Sequence, residues 1–266
     1  MEFWPLLPTG LIISFIAMSS GISGSNFWIP VYVLVLGVEP VLGFWLALVT
    51  MLFGFGSGIT CNLQRKTINF RIAGKYLLVV LPGAAVGGVL SSKVPQGFLL
   101  LCFALLIFSY AVYTLNKIRV DCRCEVSEHE KIYWWIGAAA GFSKGLIATG
   151  LGKFILPKYL HHKDIKSSSE AVGTTVAIVF VANLVALLAR LNPEFIFNLQ
   201  ANANQLLPIV AWVVPSVVIG GWIGPRFTGY ISKQTLLVYI SLLLIAVALV
   251  TLARVFNTPG LYPFSF

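Results

Sequence analysis

Acidic side chains are scarce in this sequence. Aspartate and glutamate number 9 in 266 residues, against 18 lysines and arginines, and charged residues make up only 10% of the chain. Soluble domains carry about 25%, so a soluble globular protein is excluded. The longest polar stretch, Asn116 to Lys131, has the size of a loop. Cysteine (4) and histidine (3) are too few and too scattered for a metal centre. Cys61 and Cys102 fall in apolar runs and read as packing residues. Cys122 and Cys124 form a lone C-x-C with only His129 nearby. His161 and His162 sit beside Lys158 and Lys163 and read as surface residues rather than a proton relay. Paired carboxylates, a buried Ser/His/Asp set and a nucleotide-binding motif are all missing. That argues against an enzyme, and no cofactor is expected. The net charge of +9 is no nucleic-acid signal, because most basic residues lie in short loops between apolar runs. The first residues lack a basic n-region and a cleavage site, so no removable signal peptide is expected.

What the chain does have is apolar length. Hydrophobic residues make up 58%, and runs near the roughly 20 residues that span a bilayer recur throughout. The expected fold is an all-α polytopic membrane protein. The chain also repeats itself. Pro30 corresponds to Pro157, Gly43 to Gly173, Pro82 to Pro215, Gly87-Gly88 to Gly220-Gly221 and Lys93 to Arg226, with offsets drifting from 127 to 133. Each half is read as a Gly-tipped broken or re-entrant helix hairpin plus three transmembrane helices. The first repeat covers 1–120, a basic cytoplasmic linker covers 121–132, and the second repeat covers 133–266. Half one has a discontinuous segment 3–38, broken at Gly21–Ser25, and spans at 43–62, 72–91 and 97–116. Half two has a discontinuous segment 133–157, broken around Gly150–Gly152, and spans near 169–189, 205–224 and 233–254. Residues 192–204 are expected to form an amphipathic or irregular outer connection.

Basic residues decide how the glycine-rich segments thread. If both segments cross the membrane, nine loop cations face six. If both are hairpins that turn back, twelve lie on one side and only Lys93, Arg190 and Arg254 remain opposite. The second split fits the positive-inside rule. Each half then has three full spans, so the halves insert in opposite orientation as inverted repeats, with both termini outside. Irregular backbone at membrane depth is tolerable only when buried in protein or lining a wet cavity. The tips are therefore the expected site.

Tip one reads Gly21-Ile-Ser23-Gly24-Ser25-Asn26, and tip two reads Ala148-Thr-Gly150-Leu-Gly152-Lys153. Glycine permits tight turns and close backbone approach, and a half-helix starting after each tip aims its N-terminal dipole at the cavity. Close helix packing is the competing reading, and it is the better one for Gly87-Gly88 and Gly220-Gly221. Lys144 and Lys153 lie inside an apolar segment on either side of tip two, where an ammonium costs several kcal/mol. They read as anion contacts, with snorkelling the alternative. Thr174 and Thr175 at the opening of the next span, with Asn183 about two turns on, offer further polar contacts; the alternative for the threonines is backbone bonding.

These residues carry a resemblance. Gly21-Ile-Ser-Gly-Ser-Asn-Phe-Trp-Ile-Pro30 and Ala148-Thr-Gly-Leu-Gly-Lys-Phe-Ile-Leu-Pro157 resemble the repeated G-x-G-G-G-x-x-x-x-P motif of the TauE/SafE family of sulfite and organosulfonate exporters. Gly173-Thr174-Thr175 resembles the G-T-S that follows it, whereas Gly43-Phe44-Trp45 does not. The resemblance covers nearly the whole chain. It implies a secondary transporter of a small anion (sulfite, a sulfonate or another organosulfur anion), usually an exporter, in a bacterial inner membrane. The alternatives are a channel-like anion facilitator and a non-transporting binder of a sulfur compound. The implied partners are the anion and the lipid bilayer, with a proton or sodium coupling ion and a homo-oligomer left open.

Overall fold

The computed structural model describes residues 3–20, 23–120, 134–149, 165, 167–227 and 233–257. Helix α1 (Leu6–Ser20) is followed by α2 (Ser25–Pro30), which continues as a π turn over Val31–Val35. Then come α3 (Pro40–Gln64), α4 (Phe70–Ser91), α5 (Gln96–Val120), α6 (Trp134–Ile147), α7 (Ser168–Ala189), α8 (Pro193–Ala201), α9 (Ala203–Ile223) and α10 (Lys233–Asn257). Among the described residues α3, α4, α5, α7 and α9 are long and apolar enough to cross a membrane, and α1, α2 and part of α10 are shorter apolar helices.

Local chemistry sets the helix starts. The Asn69 side chain accepts from the Ile72 amide, Ser167 from Glu170 and Asn192 from Phe195, each satisfying an orphan N-terminal donor. Pro40 and Pro193 occupy first-turn positions where no amide is needed. The expected outer connection 192–204 is therefore mostly helical: Asn192 and Pro193 nucleate α8, and α9 already begins at Ala203.

Small residues set the packing. A Cβ on Gly87 would strike the Phe142 carbonyl and lie 2.8 Å from the Leu146 amide; one on Gly220 would lie 2.7 Å from the Leu11 carbonyl. Both glycines are thus packing positions, as the sequence predicts: without a side chain, two helix backbones can touch. The contacts also give direction. Gly83 meets α6 at Ala138 and Phe142, and Gly87 meets it at Phe142 and Leu146, so α4 and α6 run parallel. Gly220 meets α1 at Leu11 to Phe15, and Gly224 meets it at Phe15 to Ser19, so α9 and α1 run parallel too. Gly54 abuts Val217 and Gly58 abuts Gly221, which adds α3 to the second set. Thr67 packs on Gly173 and Gly88 on Ala186, which adds α7 to the first.

The end contacts relate the two sets. The end of α3 reaches the end of α9 where the Arg65 guanidinium donates to the Pro225 carbonyl, and Asn69 at the start of α4 donates to Glu170 at the start of α7. Opposite, Glu39 before α3 takes Gln96 at the start of α5 and Asn198 of α8. Helices α1, α3 and α9 therefore run against α4, α6 and α7. The pairings also come in mates under the sequence repeat: α1 with α9 and α4 with α6, α3 with α9 and α4 with α7, and α3 with α7 and α5 with α10 across the halves.

Candidate functional site

The first discontinuous segment folds back on itself. A Cβ on Gly24 would sit 3.3 Å from Ala17 and 3.6 Å from Ile13, while one on Gly10 would reach Trp28 at 3.5 Å. As α2 advances from Gly24 to Trp28, its neighbours on α1 recede from Ala17 to Gly10, so the two helices are antiparallel. Trp28 stacks on Tyr32, and the Tyr32 hydroxyl meets Thr50 Oγ1 of α3 at 2.6 Å, anchoring the return arm. Gly21 and Ile22 lie outside the described residues. The rest of the tip is buried: Ser23, Gly24, Ser25 and Asn26. Ser23 Oγ and Ser25 Oγ are 2.7 Å apart, and Asn26 Nδ2 donates to the Ser23 carbonyl at 2.9 Å. The amides of Asn26, Phe27 and Trp28 are already bonded to the Ser23 and Gly24 carbonyls. Those three donors are turned inward, and the N-terminal attraction expected for an anion does not rest on them.

The second tip begins where α6 ends. Ala148 adopts φ 56°, a left-handed turn that ends the helix; the TauE/SafE motif has glycine at this place. Gly150, Gly152 and Lys153 lie outside the described residues. Lys144, one turn before the end of α6, is fully buried and does not snorkel. Its Nζ donates to the Ala148 carbonyl at 2.9 Å and to Ser23 Oγ of tip one at 3.2 Å. Thr149 Oγ1 donates to Asn26 Oδ1, closing a second bridge. The end of α6 therefore touches the turn before α2, 121 and 123 residues away in sequence. Thr149, a neutral side chain that carries no signal in the sequence, is half of that contact.

The other expected residues lie on α7. Thr174 Oγ1 accepts the Asn69 amide at 2.9 Å, and Thr175 Oγ1 donates to the Ala171 carbonyl at 2.8 Å. Both hydroxyls join the scaffold where α7 meets the turn before α4. Asn183 is fully buried, and neither its Oδ1 nor its Nδ2 has a hydrogen-bond partner among the described residues. Arg190 is the principal correction. Read as an outward loop charge, it is instead 1% exposed, and its Nη2 donates to the Gly145 and Leu146 carbonyls at 2.7 and 2.9 Å. The orphan carbonyls at the end of α6 draw it in, as helix C-termini draw cations. Its place at the end of an apolar run carried no signal of this. Among the described residues no group of three His, Cys, Asp or Glu could hold a metal ion.

Apolar spans, opposed helix sets and a buried polar contact between the end of α6 and the turn before α2 define an integral membrane protein of the polytopic helical class. A family model described as "Sulfite exporter TauE/SafE" matches residues 6–251. The chain belongs to that family of membrane transporters. It is 28% identical over 246 residues, 82% of this chain and 89% of the relative, to the "Probable membrane transporter protein YjnA" of Bacillus subtilis (strain 168). No solved structure matches.

Proposed function

We propose that this chain is a secondary transporter that exports a small anion, sulfite, a sulfonate or another organosulfur anion, by alternating access around the meeting point of its two tips. The observation that carries this reading is the fully buried Lys144 ammonium bridging α6 to Ser23 of the opposite tip. A cation inside an apolar bundle is expensive, and an anionic solute offsets that cost while it is bound. Ser23, Gly24, Ser25, Asn26, Lys144 and Asn183 line the proposed path, joined by Gly21, Gly150, Gly152 and Lys153. Thr174 and Thr175 open α7 and steady it. Family membership and the printed name of the Bacillus subtilis relative support transport. The opposed directions of α1 and α6, and of α3 and α7, support an inverted repeat with both termini outside. Such a pair of repeats can exchange conformations to expose the site to either face. The driving force is then an ion gradient or the membrane potential.

Counterflow of sulfur-35-labelled sulfite in proteoliposomes holding the purified chain tests the reading. Uptake driven by unlabelled internal sulfite is the expected result. Binding without exchange would leave a non-transporting binder, and flux without counterflow would leave a channel.

A further inference from the structure

The guanidinium of Arg190 has more donors than the protein uses. It carries five N–H groups. Nη2 serves the Gly145 and Leu146 carbonyls, whereas Nε and Nη1 are buried with no partner among the described residues. Capping the end of α6 explains the first nitrogen and leaves three N–H groups unaccounted for. A buried donor left unsatisfied costs about 1–3 kcal/mol, and more on a charged group. The second unexplained group stands on the same helix. Asn183 is seven residues earlier, two turns of α7, and so shares a face with Arg190. Its amide oxygen and nitrogen are both buried and unpartnered among the described residues. Between them, Ala186 packs on Gly88, and Gly88 in turn abuts Gly145. This face of α7 therefore looks toward α4 and the end of α6, where Lys144 sits.

We infer that Arg190 and Asn183 bind the acid group of the transported solute, and that the group is a compact oxyanion with several acceptor oxygens rather than a halide. Three guanidinium N–H groups and an amide N–H suit spread oxygen acceptors; charge-assisted bonds of this kind are the stronger ones. The inference rests on the transporter reading and assigns to it a cationic residue that binds solute in addition to holding α6. Because Arg190 grips the Gly145 and Leu146 carbonyls with one nitrogen and the solute with the others, occupancy also bears on the end of α6.

The test uses the purified full chain with three probes: sulfite, methanesulfonate and chloride. Equilibrium binding of sulfur-35-labelled sulfite is measured on the wild type, Arg190→Lys and Asn183→Ala. The lysine variant keeps the charge and loses the spread donors. We expect each substitution to weaken sulfite binding about tenfold or more, and methanesulfonate to displace the label far better than chloride. Sulfite binding within twofold of wild type in both variants would mean that only water fills these donors, and would overturn the inference. Should Arg190→Lys fail to fold, wild-type selectivity decides: chloride as potent as methanesulfonate refutes an oxyanion site. A wild type that binds sulfite but shows no counterflow sinks the transporter reading and leaves the binding assignment standing. A wild type that binds none of the three probes sinks both.

Discussion

Replacing Lys144 by methionine separates the two jobs that a buried ammonium can do. The Nζ makes hydrogen bonds of 2.9 Å to the Ala148 carbonyl and 3.2 Å to Ser23 Oγ. Bonds from a charged donor contribute about 1.5–3 kcal/mol each. Against them stands the desolvation of a cation in an apolar bundle, several kcal/mol. Methionine keeps the length and apolar stem and removes both terms, so the net change in folding stability should be small. Anion binding has no such cancellation, because the desolvation is already in place before the solute arrives. Losing one charge-assisted contact should weaken sulfite binding about tenfold or more, since about 1.4 kcal/mol is a factor of ten. Labelled sulfite binding and counterflow give the affinity, and thermal melting in detergent gives the stability. The reasoning fails if Lys144→Met binds and exchanges sulfite as the wild type does while its melting temperature falls by many degrees. Lys144 would then be a structural tie between tips.

Three further outcomes follow from the same geometry. A Cβ at Gly145 would lie 2.6 Å from the Gly88 amide and 2.9 Å from the Gly87 carbonyl carbon, so Gly145→Ala should cost about 1–3 kcal/mol by forcing α4 and α6 apart; Gly74→Ala, with open space around it, should melt no lower than wild type. A reporter fused to the C-terminus and active only in the periplasm should be active, and a cytoplasmic C-terminus would sink the inverted-repeat reading. Lys153→Met should lower sulfite affinity about tenfold with expression kept; unchanged affinity and transport would leave Lys144, Arg190 and backbone amides as the anion contacts.

Much of the architecture is legible in the sequence, because hydrophobic run length and glycine placement act directly on backbone packing. Five of the six expected spans are recovered within a few residues, α10 covers the sixth with a shorter apolar stretch, and Gly87-Gly88 and Gly220-Gly221 pack as read. Lys144 stands out since a cation in an apolar run has few places to go. What escapes is tertiary. Arg190 follows an apolar run in the manner of any boundary charge, and only the neighbouring end of α6 pulls it inward. Thr149 looks neutral until Asn26, 123 residues away, arrives beside it. Thr174 and Thr175 look like site residues because their hydroxyls sit at a helix start, yet the turn before α4 and the α7 backbone hold them.

The scaffold is nearly symmetric, and its chemistry is not. Glu170 takes the side-chain amide of Asn69 at one side of the bundle, and Glu39 takes that of Asn198 at the other, so each side is tied by a carboxylate–amide pair. The charges break the match. Lys144 and Arg190 both belong to half two, and under the repeat their places in half one fall near Ala17 and Thr60. Where half two concentrates cations, half one offers neutral acceptors at Ser23 and Asn26 and a narrow, largely apolar pocket lined by Met18, Trp28, Thr50 and Met51. An amphiphilic solute fits this division: its acid group would lie against α6 and α7, and its carbon end toward α1, α2 and α3. A bare inorganic anion would use only the first half of that surface. The pocket admits little more than one methyl-sized group, so methanesulfonate should compete better than a bare inorganic oxyanion by about 0.8 kcal/mol, and longer alkyl sulfonates should gain nothing further. Methanesulfonate that competes no better than inorganic sulfate would confine the solute to the charged end alone.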